Sequence, residues 1–590
     1  MEGEVIRDKK EIILKGIPAS PGIAIGQAFL VETEEPVIPR RQISDEEIPN
    51  EIARFEEALI QTRKEILEIK KKIAEEMGSD HAEIFNAYLL VLEDKMFLEE
   101  IITRLRKEKV VVEYILIDVI KKYIKVFSKM DDEYLRERIS DIDDVGKRIL
   151  RNLIGKQRQD LSKLDKKVVV VAYNLSPSDT AVMHKDNVLG FVTDIGGRTS
   201  HTAIMAKSLE IPAVVGLERV SRLVKNGDYL IVNGNDGTVV INPEKETLKK
   251  YEEELIRFEE FTRRLESLKD LPAETLDGYR VKIAANIESP QEIPSVIAHG
   301  AFGIGLYRTE YFYMNRKDLP SEEEQYEAYR RVAIQMAPNP VTIRTLDLGG
   351  DKFISQLEIP YEINPFMGWR AIRFCLAKPD IFKTQLRAIL RASVDGKLRL
   401  MYPLISGIEE LRQANGILEE VKEELTRDNI PFDKNIEVGV MIEVPSAALT
   451  TDILAKEVDF FSIGTNDLIQ YSLAVDRVNE KIAYLYEPAH PAILRIIKTI
   501  IDSAHEAGIW VGMCGEMAGE IIFIPVLLGL GLDELSVSPV SVPEVKQVIR
   551  AMTITQAREI AQECLALSTS EDILRFLRMK LKEIIPELIF

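Results

Sequence analysis

The segment EVGVMIEVPSAALTTDILAKEVDFFSIGTNDL, residues 437–468, decides the fold of the second half of the chain. It holds two short apolar runs, EVGVMIEV and FFSIG, and the stretch between them is long enough for a helix. Short apolar runs bounded by polar segments predict buried strands. A strand, a helix and a second strand in this order indicate one unit of a parallel α/β sheet.

Six further apolar runs extend this pattern on both sides of the segment: VKIAANI, GIGLY, VTIRTLDLG, LRLMYPLI, WVGMC and ELSVS. Eight runs, most of them separated by stretches of helical length, predict a (β/α)8 TIM barrel over residues 271–590. The active sites of such barrels lie at the carboxyl ends of the strands. The polar side chains at these ends should therefore converge on one mouth; they are Arg308, Arg344, Glu443, Asn466, Asp467 and Cys514.

These side chains suit one kind of ligand. Guanidinium groups offer forked hydrogen-bond donors to a phosphate or a carboxylate, and carboxylates supply the oxygen ligands that Mg²⁺ prefers. Lys352 and Arg477 follow nearby in the sequence and would add positive charge. Taken singly, an Arg or Glu at a strand end is more often part of a surface ion pair, and a Cys in an apolar run is more often core. Their joint placement instead points to a small phosphorylated carboxylate, of the phosphoenolpyruvate type, bound with Mg²⁺.

The first half of the chain divides into an α/β unit and a helical block. The opening ILKGIPASPGIAIGQAFLV predicts short strands and turns, and residues 166–243 alternate between apolar runs and one helical segment. Between these two parts, apolar residues near the helical period predict a small bundle inserted into the α/β unit. We expect the α/β unit over residues 1–35 and 156–243, the bundle over 36–155, and a charged helical linker over 244–270.

A second candidate site lies in GFVTDIGGRTSHTAIMAKSLEIPAVVG, residues 190–216. A predicted strand meets Gly196 and Gly197, and His201 follows at the start of a predicted helix. The glycines let the backbone approach an anion, and a helix N-terminus offers free N–H groups to a phosphate. Neutral imidazole can act as a nucleophile toward phosphorus. An isolated histidine in such a place is more often a capping or core residue, so the motif alone leaves both interpretations open.

Length and composition exclude several classes of protein. A chain of 590 residues exceeds one hydrophobic core and suggests roughly three or four domains. Its 46% hydrophobic and 29% charged residues are typical of a globular protein. The net charge of -20 argues against a nucleic-acid partner, because such binding needs a basic face. Three scattered cysteines and the lack of a signal sequence or a bilayer-length apolar run predict a cytoplasmic location.

Several long motifs resemble enzyme I of the bacterial phosphoenolpyruvate-dependent sugar phosphotransferase system. They occur in the order and spacing of that family and cover nearly the whole chain: GGRTSHTAIMAKSLEIPAVVG, GLYRTEYFYM, IRTLDLGGDK, NPFMGWRAIRF, MIEVPSAAL, FSIGTNDLIQYSLAVDR and GMCGEMAG. The resemblance implies a swivelling phosphohistidine domain with an inserted helical bundle, followed by a phosphoenolpyruvate-binding barrel. It also implies an enzyme that phosphorylates its own histidine from phosphoenolpyruvate and releases pyruvate.

The same resemblance implies a role for each matched residue. His201 would be the phosphorylated histidine, and Cys514 in GMCGE the acid that protonates the enolate carbon. Glu443 and Asp467 would hold Mg²⁺. The substrate contacts would come from Arg308, Arg344, Asn466 and Arg477, with Asp467, Lys352 and Arg370 as further contacts.

The resemblance implies two protein partners. The bundle over residues 36–155 would dock the histidine-containing carrier protein HPr, which would receive the phosphoryl group. Asp80 and Glu83 are candidate docking residues, although EMGSDH departs from the acidic run expected there and charged helix faces are usually just solvated. A second copy of the chain would form a homodimer through the barrel.

Three other interpretations share part of these features. A phosphoenolpyruvate synthase or a pyruvate phosphate dikinase would need a large nucleotide-binding domain, and only about 165 mostly helical residues precede the body of the α/β unit. A nitrogen-type enzyme I would carry a sensor domain before PASPGIAIG, so we expect the sugar branch. A catalytically idle paralogue that only regulates would lack a site residue, whereas each residue named above is present.

Overall fold

The structure is a computed structural model in two compact units, Met1–Phe261 and Thr262–Phe590. It describes residues 10–31, 38–76, 84–127, 133–155, 166–175, 187–197, 203, 206, 211–313, 318–348, 362, 364–477, 479 and 481–586. The division between the units falls inside the predicted linker. The residue borders of the four predicted segments stay a prediction.

A helical block occupies the middle of the first unit. Its helices are α1 (Ile48–Glu76), α2 (Ile84–Glu93), α3 (Lys95–Glu108), α4 (Val112–Phe127) and α5 (Glu133–Ile154). In α3 the apolar residues Phe97, Ile101 and Leu105 recur every four positions and are buried on one face. Asp94 caps the start of that helix by accepting a hydrogen bond from the Phe97 N–H at 3.0 Å. The helices pack around one apolar core, as the sequence predicts.

The α/β part of the first unit is one eight-stranded sheet in the order β1-β8-β7-β3-β4-β5-β6-β2. Strands β3, β4, β5 and β6 pair in parallel, and antiparallel strands extend both sides. The chain leaves the sheet after β3 and returns with β4, so the helical block is an insertion between neighbouring strands. The strands are β1 (Ile12–Lys15), β2 (Ile17–Ser20), β3 (Ile23–Leu30), β4 (Val168–Ala172), β5 (Val188–Thr193), β6 (Ala213–Val215), β7 (Tyr229–Asn233) and β8 (Thr238–Ile241).

Strand β5 ends directly before the predicted histidine loop. The buried Asp194 follows it, and its carboxylate accepts hydrogen bonds from the N–H and the hydroxyl of Ser221. These bonds tie the strand end to the short helix α6 (Val220–Leu223). A charged helix, α7 (Lys245–Ser267), then follows the sheet, as the sequence predicts for the linker.

The second unit is a closed barrel of eight parallel strands in the order β10-β11-β12-β13-β14-β15-β16-β9. Each of the eight apolar runs contains one strand, so the predicted barrel is confirmed. The strands are β9 (Lys282–Ile287), β10 (Ile304–Tyr307), β11 (Val341–Arg344), β12 (Leu398–Tyr402), β13 (Glu437–Ile442), β14 (Phe460–Ile463), β15 (Trp510–Met513) and β16 (Glu534–Val537).

Helices surround the barrel and bury their apolar faces against its strands in one continuous core. The charged stretch LRFLRMKLKEI, residues 574–584, lies in the last helix of the described chain. No helix in the described part of the chain is long and apolar enough to cross a membrane. The helices are α8 (Ile293–Ala298), α9 (Glu322–Met336), α10 (Ala371–Ala377), α11 (Pro379–Ala392), α12 (Ile408–Arg427), α13 (Pro445–Leu449), α14 (Thr451–Leu454), α15 (Thr465–Leu473), α16 (Pro491–Ala507), α17 (Ile524–Leu530), α18 (Val542–Arg550), α19 (Ile554–Ala566) and α20 (Ser570–Ile584).

Candidate active site at the mouth of the barrel

The carboxyl ends of the barrel strands carry the side chains that the sequence singles out. Arg308 directly follows β10, Arg344 ends β11, and Glu443 directly follows β13. Asn466 and Asp467 lie in the first turn of α15, which begins two residues after β14. Since all eight strands run in the same direction, these ends meet at one face of the barrel.

Asp347 links two guanidinium groups at the centre of this face. One of its oxygens lies 2.9 Å from Arg344 Nη1, and the other lies 2.8 Å from Arg370 Nη2. Burial alone would raise the pKa of the Asp347 carboxyl, but the two arginines outweigh burial and lower that pKa. Asp347 therefore stays ionised and fixes both guanidinium groups.

Arg344 makes a further ion pair with Glu310. Its Nη2 lies 2.9 Å from Glu310 Oε1, and its side chain is only 11% exposed. Burial opposes the charged form of Arg344, whereas Glu310 and Asp347 raise its pKa, so the group stays cationic. The Nε of Arg344 is buried without a hydrogen-bond partner among the residues that the structure describes. A buried N–H donor without an acceptor lowers the stability of the fold unless a ligand or a water molecule accepts a hydrogen bond from it.

Glu443 and Asp467 bring two further carboxylates to the same face. Glu443 Oε1 accepts a hydrogen bond from the Leu404 N–H at 2.7 Å, and both side chains are buried. Burial, and then the charges of Asp467 and Asp347, raise the pKa of Glu443 to about 8. The Glu443 carboxylate packs against the backbone of Gly464. A side chain at residue 464 would prevent this, because its Cβ would lie 2.7 Å from Glu443 Oε2.

Asp467 is also bound to an arginine. Its Oδ2 lies 3.1 Å from Arg370 Nη1. The described residues include no group of three or more His, Cys, Asp or Glu side chains arranged to hold a metal ion. Glu443 and Asp467 would therefore supply two ligands, and the remaining ligands of a cation would have to come from substrate and water, which is how Mg²⁺ is commonly bound.

The rim of the mouth is more exposed and carries the remaining polar side chains. Asn466 Nδ2 donates to Glu516 Oε1 at 3.0 Å, and its Oδ1 accepts from the Glu516 N–H at 2.9 Å. Arg477 Nη1 lies 3.9 Å from the same Glu516 oxygen. Arg308 forms an ion pair with Glu288, and its side chain is 36% exposed.

Cys514 directly follows β15 and packs in a small apolar cluster of side chains from the barrel strands. Its side chain is buried, and burial raises the pKa of the thiol above its usual value, so the thiol stays protonated at neutral pH. Its N–H donates to the Ile463 carbonyl oxygen at 3.1 Å, and its own carbonyl oxygen accepts from Asn286 Nδ2 at 3.0 Å. The residue after Cys514 has to be glycine, because a Cβ on Gly515 would lie 1.8 Å from Thr465 Oγ1.

The structure thus brings one set of the predicted residues into a single hydrogen-bonded network and leaves others apart. Arg344, Arg370 and Asp467 share that network, and Glu443 is close enough for their charges to act on its pKa. Arg308, Asn466 and Arg477 lie at the same face in separate pairs. His201, Lys352, Asp80 and Glu83 lie outside the described residues.

Three residues of the site, Asp347, Glu310 and Tyr471, were not predicted from the sequence. Asp347 and Glu310 stand in motifs quoted above, IRTLDLGGDK and GLYRTEYFYM, and each lies three residues after the end of a barrel strand. An acidic residue so close to a strand end was a usable signal. Tyr471 carried no such signal, because its partner Arg370 is 101 positions away in the sequence.

Comparisons with known proteins found relatives that cover nearly the whole chain. Three models of phosphoenolpyruvate-utilising enzymes match the chain: the N-terminal domain over residues 15–138, the mobile domain over 164–237 and the PEP-binding domain over 262–554. The chain is 49% identical to the phosphoenolpyruvate-protein phosphotransferases of Bacillus sp. (strain S) and of Geobacillus stearothermophilus, over 98% of this chain and 99% of each relative. The relative from Staphylococcus carnosus (strain TM300) is 46% identical over 95% of this chain and 97% of its own length.

Proposed function

The chain belongs to the family of phosphoenolpyruvate-protein phosphotransferases, enzyme I of the phosphotransferase system, and we propose how its own residues carry out that reaction. The activity is the transfer of a phosphoryl group from phosphoenolpyruvate to protein. We assign substrate binding and protonation to the barrel mouth, and acceptance of the phosphoryl group to His201. The observation that carries this assignment is the buried network in which Asp347 holds Arg344 and Arg370 side by side at the strand ends.

Two fixed guanidinium groups suit the two anionic ends of phosphoenolpyruvate. Arg344 and Arg370 are each only 11% exposed, so their charges act in a medium of low dielectric and attract an anion more strongly than surface arginines do. The Nε donor of Arg344, which has no hydrogen-bond partner in the described part of the chain, adds a place for a substrate oxygen. Arg308, Asn466 and Arg477 would close over the substrate from the rim, and Lys352 would add a further positive charge.

The charge balance of the network supports a divalent cation. Four carboxylates, those of Glu310, Asp347, Glu443 and Asp467, face two buried guanidinium groups. Burial, and then the charges of Asp467 and Asp347, raise the pKa of Glu443 to about 8, and a cation bound by Glu443 and Asp467 would oppose these effects. Glu443 and Asp467 would hold Mg²⁺, which when bound would neutralise the charge on the phosphate and enolate oxygens.

The reaction exchanges one bond to phosphorus for another. A nitrogen of the His201 imidazole attacks phosphorus, the bond between phosphorus and the enol oxygen breaks, and the enolate of pyruvate remains at the mouth. Cys514 then gives its thiol proton to the methylene carbon of the enolate, which yields pyruvate, and the thiolate regains a proton from solvent. A thiol with a raised pKa suits this role because it is protonated when the enolate forms.

The acceptor has to meet two partners. His201 lies in the first unit and the barrel is the second, so the histidine must reach the mouth in one step and a carrier protein in the next. We propose that the carrier is HPr, that the helical block α1–α5 docks it, and that two copies of the chain pair through the barrel. These three statements rest on the family.

Label transfer tests the assignment. Incubation with phosphoenolpyruvate labelled in the phosphoryl group should place an acid-labile label on the wild-type chain and then on added HPr. His201→Ala should take up no label and still bind phosphoenolpyruvate with unchanged affinity, because the barrel is intact. Label on the His201→Ala chain would overturn the assignment of the acceptor.

A further inference from the structure

One nitrogen of Arg370 is held by two side chains of the same helix. Arg370 Nη1 lies 3.1 Å from Asp467 Oδ2 and 3.2 Å from the hydroxyl oxygen of Tyr471. Asp467 and Tyr471 are four positions apart on α15, so they lie on one face of that helix. The Nε and Nη2 of Arg370 are both bound by Asp347, at 3.2 and 2.8 Å. The guanidinium is therefore fixed from two sides.

The Tyr471 hydroxyl has a second bond that anchors the chain segment leading to Arg370. Besides accepting from Arg370, it donates to the carbonyl oxygen of Phe366. Phe366 lies in a single 3-10 turn, Pro365–Met367, a few residues before Arg370. One hydroxyl thus joins α15 to the arginine and to the backbone before it, with its donor and its acceptor both in use.

The two holders of Arg370 Nη1 differ in what else they are proposed to do. Asp467 is a proposed Mg²⁺ ligand, and a carboxylate that coordinates a cation shares its charge and lone pairs with that cation. Its hold on Arg370 then weakens at the moment when substrate and metal are both present. The Tyr471 hydroxyl is neutral and has no part in the proposed metal site, so its bond to Arg370 persists.

We propose that Tyr471 is a positioning residue: it keeps Arg370 Nη1 directed at the substrate when Asp467 coordinates Mg²⁺. The inference rests on the proposed function, because it uses the metal role of Asp467. Without the cation, Asp467 provides the main bond to Arg370 Nη1. With the cation bound, the Tyr471 hydroxyl provides it. Removal of the hydroxyl should therefore matter only when Mg²⁺ is bound.

The test is the affinity for phosphoenolpyruvate of His201→Ala and of His201→Ala with Tyr471→Phe, since a chain without the acceptor histidine binds the substrate and does not consume it. Calorimetry on these full-length chains measures the affinity with and without Mg²⁺. We expect Tyr471→Phe to raise Kd about tenfold with Mg²⁺ and less than about twofold without it, because Asp467 still holds Arg370 Nη1 when no cation is bound. Tyr279→Phe is the matched control. Tyr279 precedes β9 at the opposite end of the barrel, and its substitution should leave both Kd values unchanged.

The outcomes separate this inference from the proposed function. An equal loss with and without Mg²⁺ would mark Tyr471 as a general structural residue and overturn the inference, as would no loss in either condition. A Kd of the parent His201→Ala chain that is the same with and without Mg²⁺ would overturn the proposed metal site, and the inference with it. The expected pattern in the Tyr471→Phe variant, with tighter binding by the parent chain in Mg²⁺, supports both.

Discussion

The two ends of the barrel both bury charged side chains, but they do so in different ways. At the amino end Arg399 lies 2.9 Å from Glu437 and 3.6 Å from Glu534, and its guanidinium carbon stacks 4.5 Å from the centre of the Trp510 ring. At the carboxyl end four carboxylates face two guanidinium groups. The amino-end arginine is matched by two carboxylates of the protein, although its Nε and Nη1 make no well-aligned hydrogen bond among the described residues. We propose that the carboxyl-end group is instead completed by an anion and a cation from solution.

The comparison teaches that burial of charge alone does not identify an active site. In a (β/α)8 barrel the catalytic groups lie at the carboxyl ends of the strands, and groups at the amino ends contribute to stability. We therefore expect substitutions around Arg399 to lower stability and substitutions around Arg344 to slow the reaction. Substitutions at the two ends should separate these two kinds of effect.

The largest effect is expected at Arg344. In Arg344→Lys the charge stays but the forked contacts to Glu310 and Asp347 cannot form, so kcat/KM for phosphoenolpyruvate should fall by ~10³. The melting temperature should change by only a few degrees, because no carboxylate loses its counter-charge. Steady-state pyruvate release and thermal unfolding measure the two quantities. A kcat/KM within threefold of wild type would remove Arg344 from the substrate site.

The next effect is expected at Arg399 and concerns stability. Arg399→Met removes the guanidinium that Glu437 and Glu534 share and leaves Glu437 only Lys397 at 3.9 Å, so the barrel should lose about 3 kcal/mol of unfolding free energy while kcat/KM stays within about threefold. Urea unfolding followed by tryptophan fluorescence reports the barrel alone, since both tryptophans, Trp369 and Trp510, lie in it. Adding Glu437→Gln and Glu534→Gln should restore most of the loss. If kcat/KM falls as far as in Arg344→Lys, the two ends are not functionally distinct.

The smallest effect is a change in the pH dependence of stability. Burial raises the pKa of Glu534, and Arg399 only partly opposes this. A carboxyl whose folded pKa is raised stabilises the fold most at low pH, and that contribution is lost as pH rises above its usual value of 4.5. Glu534→Gln should therefore flatten the fall in barrel stability above this pH. Parallel pH profiles of wild type and variant, by the same fluorescence measurement, would contradict the assigned shift.

Much of the fold could be predicted because each barrel strand is a distinct apolar run. EVGVMIEV and FFSIG show this, since each run contains one strand and also the residue directly after it, Glu443 in one and Gly464 in the other. The order of the eight-stranded sheet in the first unit could not be predicted. Strand β3 lies between β4 and β7, and no local pattern in the sequence encodes such a neighbour relation.

Some members of the candidate site were predictable from the sequence, but their connections were not. Arg344 and Arg370 could be named from their motifs, but Asp347, which bridges them, was missed and lies 23 residues before Arg370. The pairing of Arg370 with both Asp467 and Tyr471 depends on how α15 packs against the mouth. Such contacts arise only once the barrel closes.

The central claim is that proton delivery belongs to the barrel and phosphoryl acceptance to His201. Cys514→Ala tests it most directly, with Cys564→Ala, another buried cysteine of the second unit, as control. Release of pyruvate from phosphoenolpyruvate should slow by ~10²–10⁴-fold in Cys514→Ala, because only the acid is lost. Transfer of label from phosphorylated HPr to His201 should proceed at the wild-type rate, since that step needs no proton at carbon. Normal pyruvate release, or a folded Cys514→Ala chain that takes no label from HPr, would contradict the account.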